Sequence, residues 1–250
     1  MIEREGLEKS TRNYVKAAGT IAGISESVTG IPFPQNVFRQ WQELMFAIRI
    51  GDTRLDDLKK QRDRIALRTT VMGYLKNNPE CSIEDPLLEQ AMLTLKGICD
   101  SVPDITRKKL LHTFEKILDV TEEIKQTEDS TRLPFLIRLE GQLTSRLFIS
   151  LLPEEYRNSK TYPNLLKTLT RLGRVANSVD TFIDFSSDYE AEELQVRPSI
   201  LNRVRLLANC SSDVFQVISR LKPTPNLIKQ ISSGVRETAE NNSNRDFSQL

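Results

Sequence analysis

Apolar residues recur along most of this chain at intervals of three and four, the period of helices with one buried face. Leu7, Tyr14, Val15, Ala18, Ile21 and Ile24 predict a helix over 7–29, closed by Gly30-Ile-Pro-Phe-Pro34 because two prolines cannot continue it. Phe38, Trp41, Met45 and Ile48 open a second helix, whose pattern carries it from Gln35 to about Leu75, with Gly51 placed for a bend or a close approach. Asp85-Pro86 supplies a cap and a first-turn proline for a third, followed by Leu87, Leu88, Met92, Leu95 and Ile98 and ended by Val102-Pro103. Further helices are predicted over 105–126, 133–151, 164–191, 198–221 and 226–239, with a loop between Pro153 and Pro163 and a polar tail over 240–250. No segment alternates with the period of a strand. The fold class is therefore all-α, a single-domain helical bundle over 1–239.

Aspartates enter two of these apolar stripes. On the helix of 164–191, Asp180, Asp184 and Asp188 follow Leu169, Gly173 and Ala176. Four residues is just over one turn, which stacks the three carboxylates along one face roughly 6 Å apart. On the second helix Asp52 and Asp56 continue the seam of Phe38, Trp41, Met45 and Ile48, with Arg49 three places before Asp52. Unpaired carboxylates are costly to bury, so each stripe calls for a cationic partner. Carboxylates on facing helices suit a hard divalent cation such as Mg²⁺, which takes oxygen ligands and keeps water and phosphate oxygens in its shell. Metal and arginine would stabilise a leaving diphosphate, while apolar walls would house a hydrocarbon chain and protect a carbocation.

Composition changes this picture little. The 250 residues carry 28% charged side chains and a net charge of +1, which gives no electrostatic case for a nucleic-acid partner. Cys81, Cys99 and Cys210 are odd in number and lack zinc spacing, so a reducing, cytoplasmic setting is expected, with Cys99 and Cys210 as packing residues. His112 is the only histidine and is read as structural or exposed. No apolar run approaches the ~20 residues of a membrane span. Peripheral membrane contact stays open, because Arg203 and Arg205 lie near Leu201, Val204 and Leu207. Glu154-Glu155 and the run 190–193 are read as solvated faces. Lys59, Lys60, Arg62 and Arg64 either assist a diphosphate or pair with Asp56 and Asp63. Trp41, Phe38, Phe46, Phe135 and Phe148 are core residues or pocket walls.

Asp52-Thr-Arg-Leu-Asp56-Asp57 with Arg49 upstream resembles the first aspartate-rich motif of squalene and phytoene synthases. Leu172-Gly173 followed by Asn177, Asp180, Asp184 and Asp188 resembles the second, and Gly141, 43 residues before Asp184, falls near the glycine of that family's central helix. The resemblance covers roughly residues 14–200. It implies the all-α isoprenoid-synthase fold, Mg²⁺ as cofactor and a prenyl diphosphate substrate. It makes Asp52, Asp56, Asp180, Asp184 and Asp188 metal ligands, and assigns Arg49, Phe135 and Gly141 to substrate binding. Where the family has an asparagine this chain has Asp180, where it has an arginine Ile183, and where it has a tyrosine Phe135. AEELQVRPS replaces its usual stretch after the second motif. The expected function is a Mg²⁺-dependent synthase joining two prenyl chains. A cyclase using one prenyl diphosphate, a helical interaction protein that keeps the fold without the chemistry, and a lipid-binding helical module are the alternatives.

Overall fold

The computed structural model describes residues 2–220, and side chains for 16–220; the helix expected over 226–239 and the tail over 240–250 lie outside the described residues. The fold is all-α. Among the described residues there are nine helices: α1 (Ile2–Thr29), α2 (Gln35–Asp56), α3 (Gln61–Leu75), α4 (Pro86–Asp100), α5 (Asp104–Gln126), α6 (Leu133–Ser150), α7 (Glu154–Arg157), α8 (Tyr162–Glu190) and α9 (Ile200–Ile218). Helix α2 packs chiefly on α1 and α4, α6 lies between α5 and α8, and α9 covers α8.

The long helix expected over 35–75 is two helices, α2 and α3, and the break is held by a side chain of α3 that is itself anchored on α5. The Arg64 guanidinium donates to the carbonyls of Leu58 and Lys59 (3.1 and 3.0 Å), satisfying acceptors of the linker between the two helices. Its other face makes a two-pronged bond to Glu122 on α5, 2.8 Å on each side. Gly51 makes no bend and no unusual approach, since a Cβ there would meet only the Met92 methyl at 3.9 Å. The short α7 lies where a loop was expected. Elsewhere the predicted punctuation holds. Asp85 accepts from the backbone of Leu87 and Leu88 (2.9 and 2.8 Å), with Pro86 in the first turn. Cys99 and Cys210 are buried, and His112 is exposed.

Two apolar clusters fill the bundle. The larger joins α1, α2, α4 and the first half of α5 to the end of α6 and the start of α8. The smaller joins the end of α5 and the start of α6 to Phe185, Leu194, Val196 and Leu206. One end of the α2–α6 contact is shut by aromatic rings: Phe33 and Trp41 lie 4.6 Å apart, Trp41 and Phe148 5.4 Å, Phe33 and Tyr156 5.7 Å. The Trp41 indole donates to the Phe148 carbonyl and the Tyr156 hydroxyl to that of Ile31. Trp41 and Phe148 are thus core residues that pin α2 to α6. Past this pin α2 ends at Asp56 in a half-buried setting, opposite the far half of α8.

The closest helix contact is α6 on α8. A Cβ built on Gly141 would stand 2.2 Å from the Gly173 carbonyl oxygen, and one on Gly173 would stand 2.2 Å from that of Gly141. Only a glycine pair lets the two backbones meet there. Ser145, also at the crossing, donates to the Leu169 carbonyl at 2.9 Å.

Candidate metal and diphosphate site

The stripe on α8 changes character along its length. Leu169 is buried under α6 and Gly173 forms the crossing, whereas Ala176 and Asp180 are exposed and Asp184 and Asp188 half-buried. Past the glycine contact α8 stays on α6, through the Asn177–Glu140 bond and Phe185 in one apolar cluster with Leu133, Leu136 and Ile137, while Ala176 and Asp180 lie on its open side. That explains how aspartates extend an apolar stripe without being sealed inside the protein.

The opposite wall is the last turn of α2. Arg49 lies 3.4 Å from Asp52, and the buried Lys125 ammonium of α5 lies 2.6 Å from Asp56. Glu140 of α6 forms the floor, accepting from the Thr121 hydroxyl and, at 3.0 Å, from the Asn177 amide. Across the rim, Lys59 donates to the Ala191 carbonyl at 2.6 Å, which ties the turn after α2 to the end of α8. Just beyond, Glu192 adopts a left-handed backbone (φ 61°) and the amides of Glu193 and Leu194 return to the Asp188 carbonyl at 2.8 and 3.2 Å. This closing turn swings Glu193 back toward the carboxylates.

Charge shows that the walls face each other. Burial, reinforced by Asp56 and Glu140, holds the Asp52 carboxyl well above the usual carboxylate range despite Arg49 and Lys125. Burial also raises Glu140, with Asp56 and Asp180 adding to it; Asp180, though open to solvent on one side, is raised by the protein around its carboxyl and by Asp184. Asp188 is pushed up to about 7 by burial together with Glu193, Asp184, Asp180 and Asp56. Glu193 is raised by burial and by Asp56. Asp56 of α2 therefore acts on Asp188 of α8, and Arg49 of α2 acts on Asp180. Seven carboxylates (Asp52, Asp56, Glu140, Asp180, Asp184, Asp188 and Glu193) share the cleft with Arg49, Lys59 and Lys125.

This donor set fits Mg²⁺ chemically, being all oxygen and in excess of its counter-charges. Among the described residues no three His, Cys, Asp or Glu side chains are gathered tightly enough to hold an ion unaided. The five aspartates of the two motifs all reach this cleft, as does Arg49. Two residues assigned to substrate do not stand on it. Phe135 is 64% exposed and precedes Glu140 by five residues, roughly 140° round the helix. Gly141 is consumed by the contact with Gly173.

Glu140, Lys125 and Glu193 escaped the sequence reading. Glu140 had a signal, a carboxylate beside a glycine in a mostly apolar helix. Lys125 had none, because nothing local marks a lysine whose partner is 69 residues away. Glu193 was read as a solvated face and depends on the turn at Glu192.

A void of ≈20 Å³ is bounded by Gly51, Leu55, Leu67, Val71, Met92 and Phe114 among others, room for about one water. No helix among the described residues is long and apolar enough to cross a membrane. Comparison of the chain with protein-family models, with curated proteins and with solved structures finds no match.

Proposed function

We propose that the chain is a Mg²⁺-dependent, cytoplasmic synthase of the squalene and phytoene type, which ionises prenyl diphosphate and joins two prenyl chains. The observation that carries this reading is the confrontation of two carboxylate walls, Asp52 and Asp56 on α2 with Asp180, Asp184 and Asp188 on α8, across one cleft that also holds Arg49. Asp52, Asp180, Asp184 and Asp188 would hold the metal, with Asp56 dividing its carboxylate between the metal and the Lys125 ammonium. When bound, Mg²⁺ supplies electrophilic stabilisation of the departing diphosphate. Arg49 contributes donors to the phosphate oxygens in a geometry that a guanidinium favours. Glu140, fixed by Thr121 and Asn177, orients the floor.

Two observations favour a second reading, a helical protein that keeps the fold without the chemistry. Asp56 is already engaged by the Lys125 ammonium at 2.6 Å, and among the described residues no three acidic side chains are gathered tightly enough to hold an ion unaided. The two readings separate in one assay. Farnesyl or geranylgeranyl diphosphate is incubated with the protein, with and without Mg²⁺, and released diphosphate is measured. The synthase reading expects Mg²⁺-dependent release, abolished by Asp52→Ala and by Asp184→Ala and untouched by Glu154→Ala. Absence of release with either substrate sinks it.

A further inference from the structure

We propose that Arg138 of α6 with Arg171 and Arg174 of α8 forms a binding site for a phosphate-type oxyanion, on the side of the α6–α8 pair turned away from the carboxylate cleft. The site is independent of the reaction proposed above. Arg171 and Arg174 are three positions apart on α8, which puts them on one face. Nine positions separate Arg171 from Asp180, and two separate Arg138 from Glu140. Each interval is roughly half a turn round its helix, so the arginines and the cleft occupy opposite sides. The three guanidiniums meet on one carboxylate. Asp213 of α9 lies 2.7 Å from Arg138, 3.6 Å from Arg171 and 3.9 Å from Arg174, so only the first is within hydrogen-bond distance. Arg174 donates instead to the Gln142 side-chain oxygen. Nε of Arg138 and Nη1 of Arg171 are shut off from solvent, and the protein offers neither an acceptor. A buried charged donor left without an acceptor is costly, and a native structure rarely leaves one unexplained.

The three helices bring no second acid to this side. Glu140 is the only acidic residue of α6 and belongs to the cleft, α8 has none before Asp180, and Asp213 is the only one of α9. Among the described residues the cluster therefore sets three positive charges against one negative. The surplus of two matches a dianion such as hydrogen phosphate. Exposure shows from where it arrives. The Asp213 side chain is 7% exposed, whereas those of Arg138, Arg171 and Arg174 keep 29, 20 and 30%. The carboxylate is thus the closed end of the cluster and the guanidiniums its open end. Planar forks from two helices suit the oxygens of a phosphoryl group, which arginine grips through paired, charge-assisted bonds. Because most of each arginine is covered, a small free ion reaches the donors and a flat membrane surface does not.

Calorimetric titration of the full chain with sodium phosphate tests this. EDTA is present, so that no divalent ion recruits phosphate to the carboxylate cleft, and sodium chloride at matched ionic strength is the reference. Saturable binding of a single phosphate per chain is expected. Arg171→Gln, which spares the Arg138–Asp213 hydrogen bond, should weaken it about tenfold or more, as loss of a hydrogen bond to a charged group implies. Asp52→Asn, in the cleft, should leave it unchanged. Asp213→Asn should lower the melting temperature in chloride, and phosphate should then raise it by more than it raises that of the unaltered protein, because the dianion replaces the lost carboxylate. Heats no different from those of chloride overturn the proposal. So does an affinity that Arg171→Gln leaves intact, or binding seen only with vesicles containing phosphatidic acid. An Asp213→Asn protein that gains nothing extra from phosphate overturns it too, and reduces the cluster to a clamp for α9.

Discussion

The two walls of the cleft solve the same electrostatic problem differently. On α2, Asp52 and Asp56 each touch a cation of the protein itself, Arg49 and Lys125. On α8, the charged groups that act on Asp188 are all carboxylates: Glu193, Asp184, Asp180 and Asp56. On α2, built-in ammonium and guanidinium groups offset part of the repulsion, although burial still holds Asp52 above the usual carboxylate range. On α8, Asp188 has no lysine or arginine among the charges acting on it, and so has more to gain from an added cation. A divalent ion arriving in the cleft displaces a proton on α8 but competes with a lysine on α2.

The largest effect should come from breaking the α2 arrangement. Lys125 is 8% exposed, and removing one partner of a buried pair typically costs about 3–5 kcal/mol because the other charge stays uncompensated. Lys125→Met and Asp56→Asn should therefore each destabilise the protein by about 3 kcal/mol in chemical denaturation. Mg²⁺ should restore part of the loss in Lys125→Met, where it replaces the ammonium, and none in Asp56→Asn. Equal rescue of both would mean that Asp56 is no ligand.

The α8 wall should respond in the opposite sense. Asp188→Asn removes repulsion, so without divalent ions it should melt no lower than the unaltered protein and somewhat higher. Saturating Mg²⁺ at ~100 times its dissociation constant stabilises a binding protein by about 2.7 kcal/mol. The double variant Asp184→Asn, Asp188→Asn should lose that increment, which thermal melts with and without Mg²⁺ measure. A full Mg²⁺ response in the double variant would move the ion to the α2 wall and reverse the comparison.

Helix positions, the cap at Asp85 and the two aspartate stripes were legible because each is written in residues within one or two turns of one another. The break after Asp56 was not, since it depends on Arg64 reaching back to Leu58 and Lys59 while gripping Glu122 of α5. The α2 cation was likewise hidden, being a lysine from α5. Gly141 shows a third limit. A glycine in an apolar helix marks a close approach, but the sequence does not say to what, and here it is Gly173 rather than a substrate. Phe135 aligned with a motif position, yet helix geometry turns it away from the carboxylates.

Acidity offers a milder test of the same contrast. Asp188 is raised to about 7 in the folded protein, against about 3.9 for an unperturbed aspartate. Between these values the native state binds more protons than the unfolded one, so this group makes stability fall as pH rises. Its contribution is complete below about pH 4 and lost through about pH 7. Asp188→Asn should flatten the decline in unfolding free energy between pH 5 and pH 8. Mg²⁺, which competes with that proton, should raise the melting temperature more at the alkaline end than at the acid end. A decline of unchanged slope in the variant would place the proton elsewhere in the cleft.

The smallest effect concerns how each wall is terminated. The α2 end closes through the amides of Asp57 and Leu58 onto the carbonyls of Thr53 and Leu55, with Arg64 of α3 holding the linker beyond, whereas α8 ends in a turn with Glu192 at φ 61°. A side chain in that left-handed region strains the backbone by roughly 1 kcal/mol, which glycine avoids. Part of that gain is offset because glycine also frees the unfolded chain. Glu192→Gly should therefore stabilise by about 0.5 kcal/mol and leave the Mg²⁺ response intact, since the turn still delivers Glu193 to the cleft. Glu192→Pro cannot adopt a positive φ, so it must open the turn and carry Glu193 away from Asp188. With the nearest opposing carboxylate gone, the proton on Asp188 should leave at lower pH than in the unaltered protein, as followed by carboxyl resonances across a pH titration. If proline leaves that titration where it was, Glu193 does not act on Asp188, which then owes its raised value to burial, its own helix and Asp56.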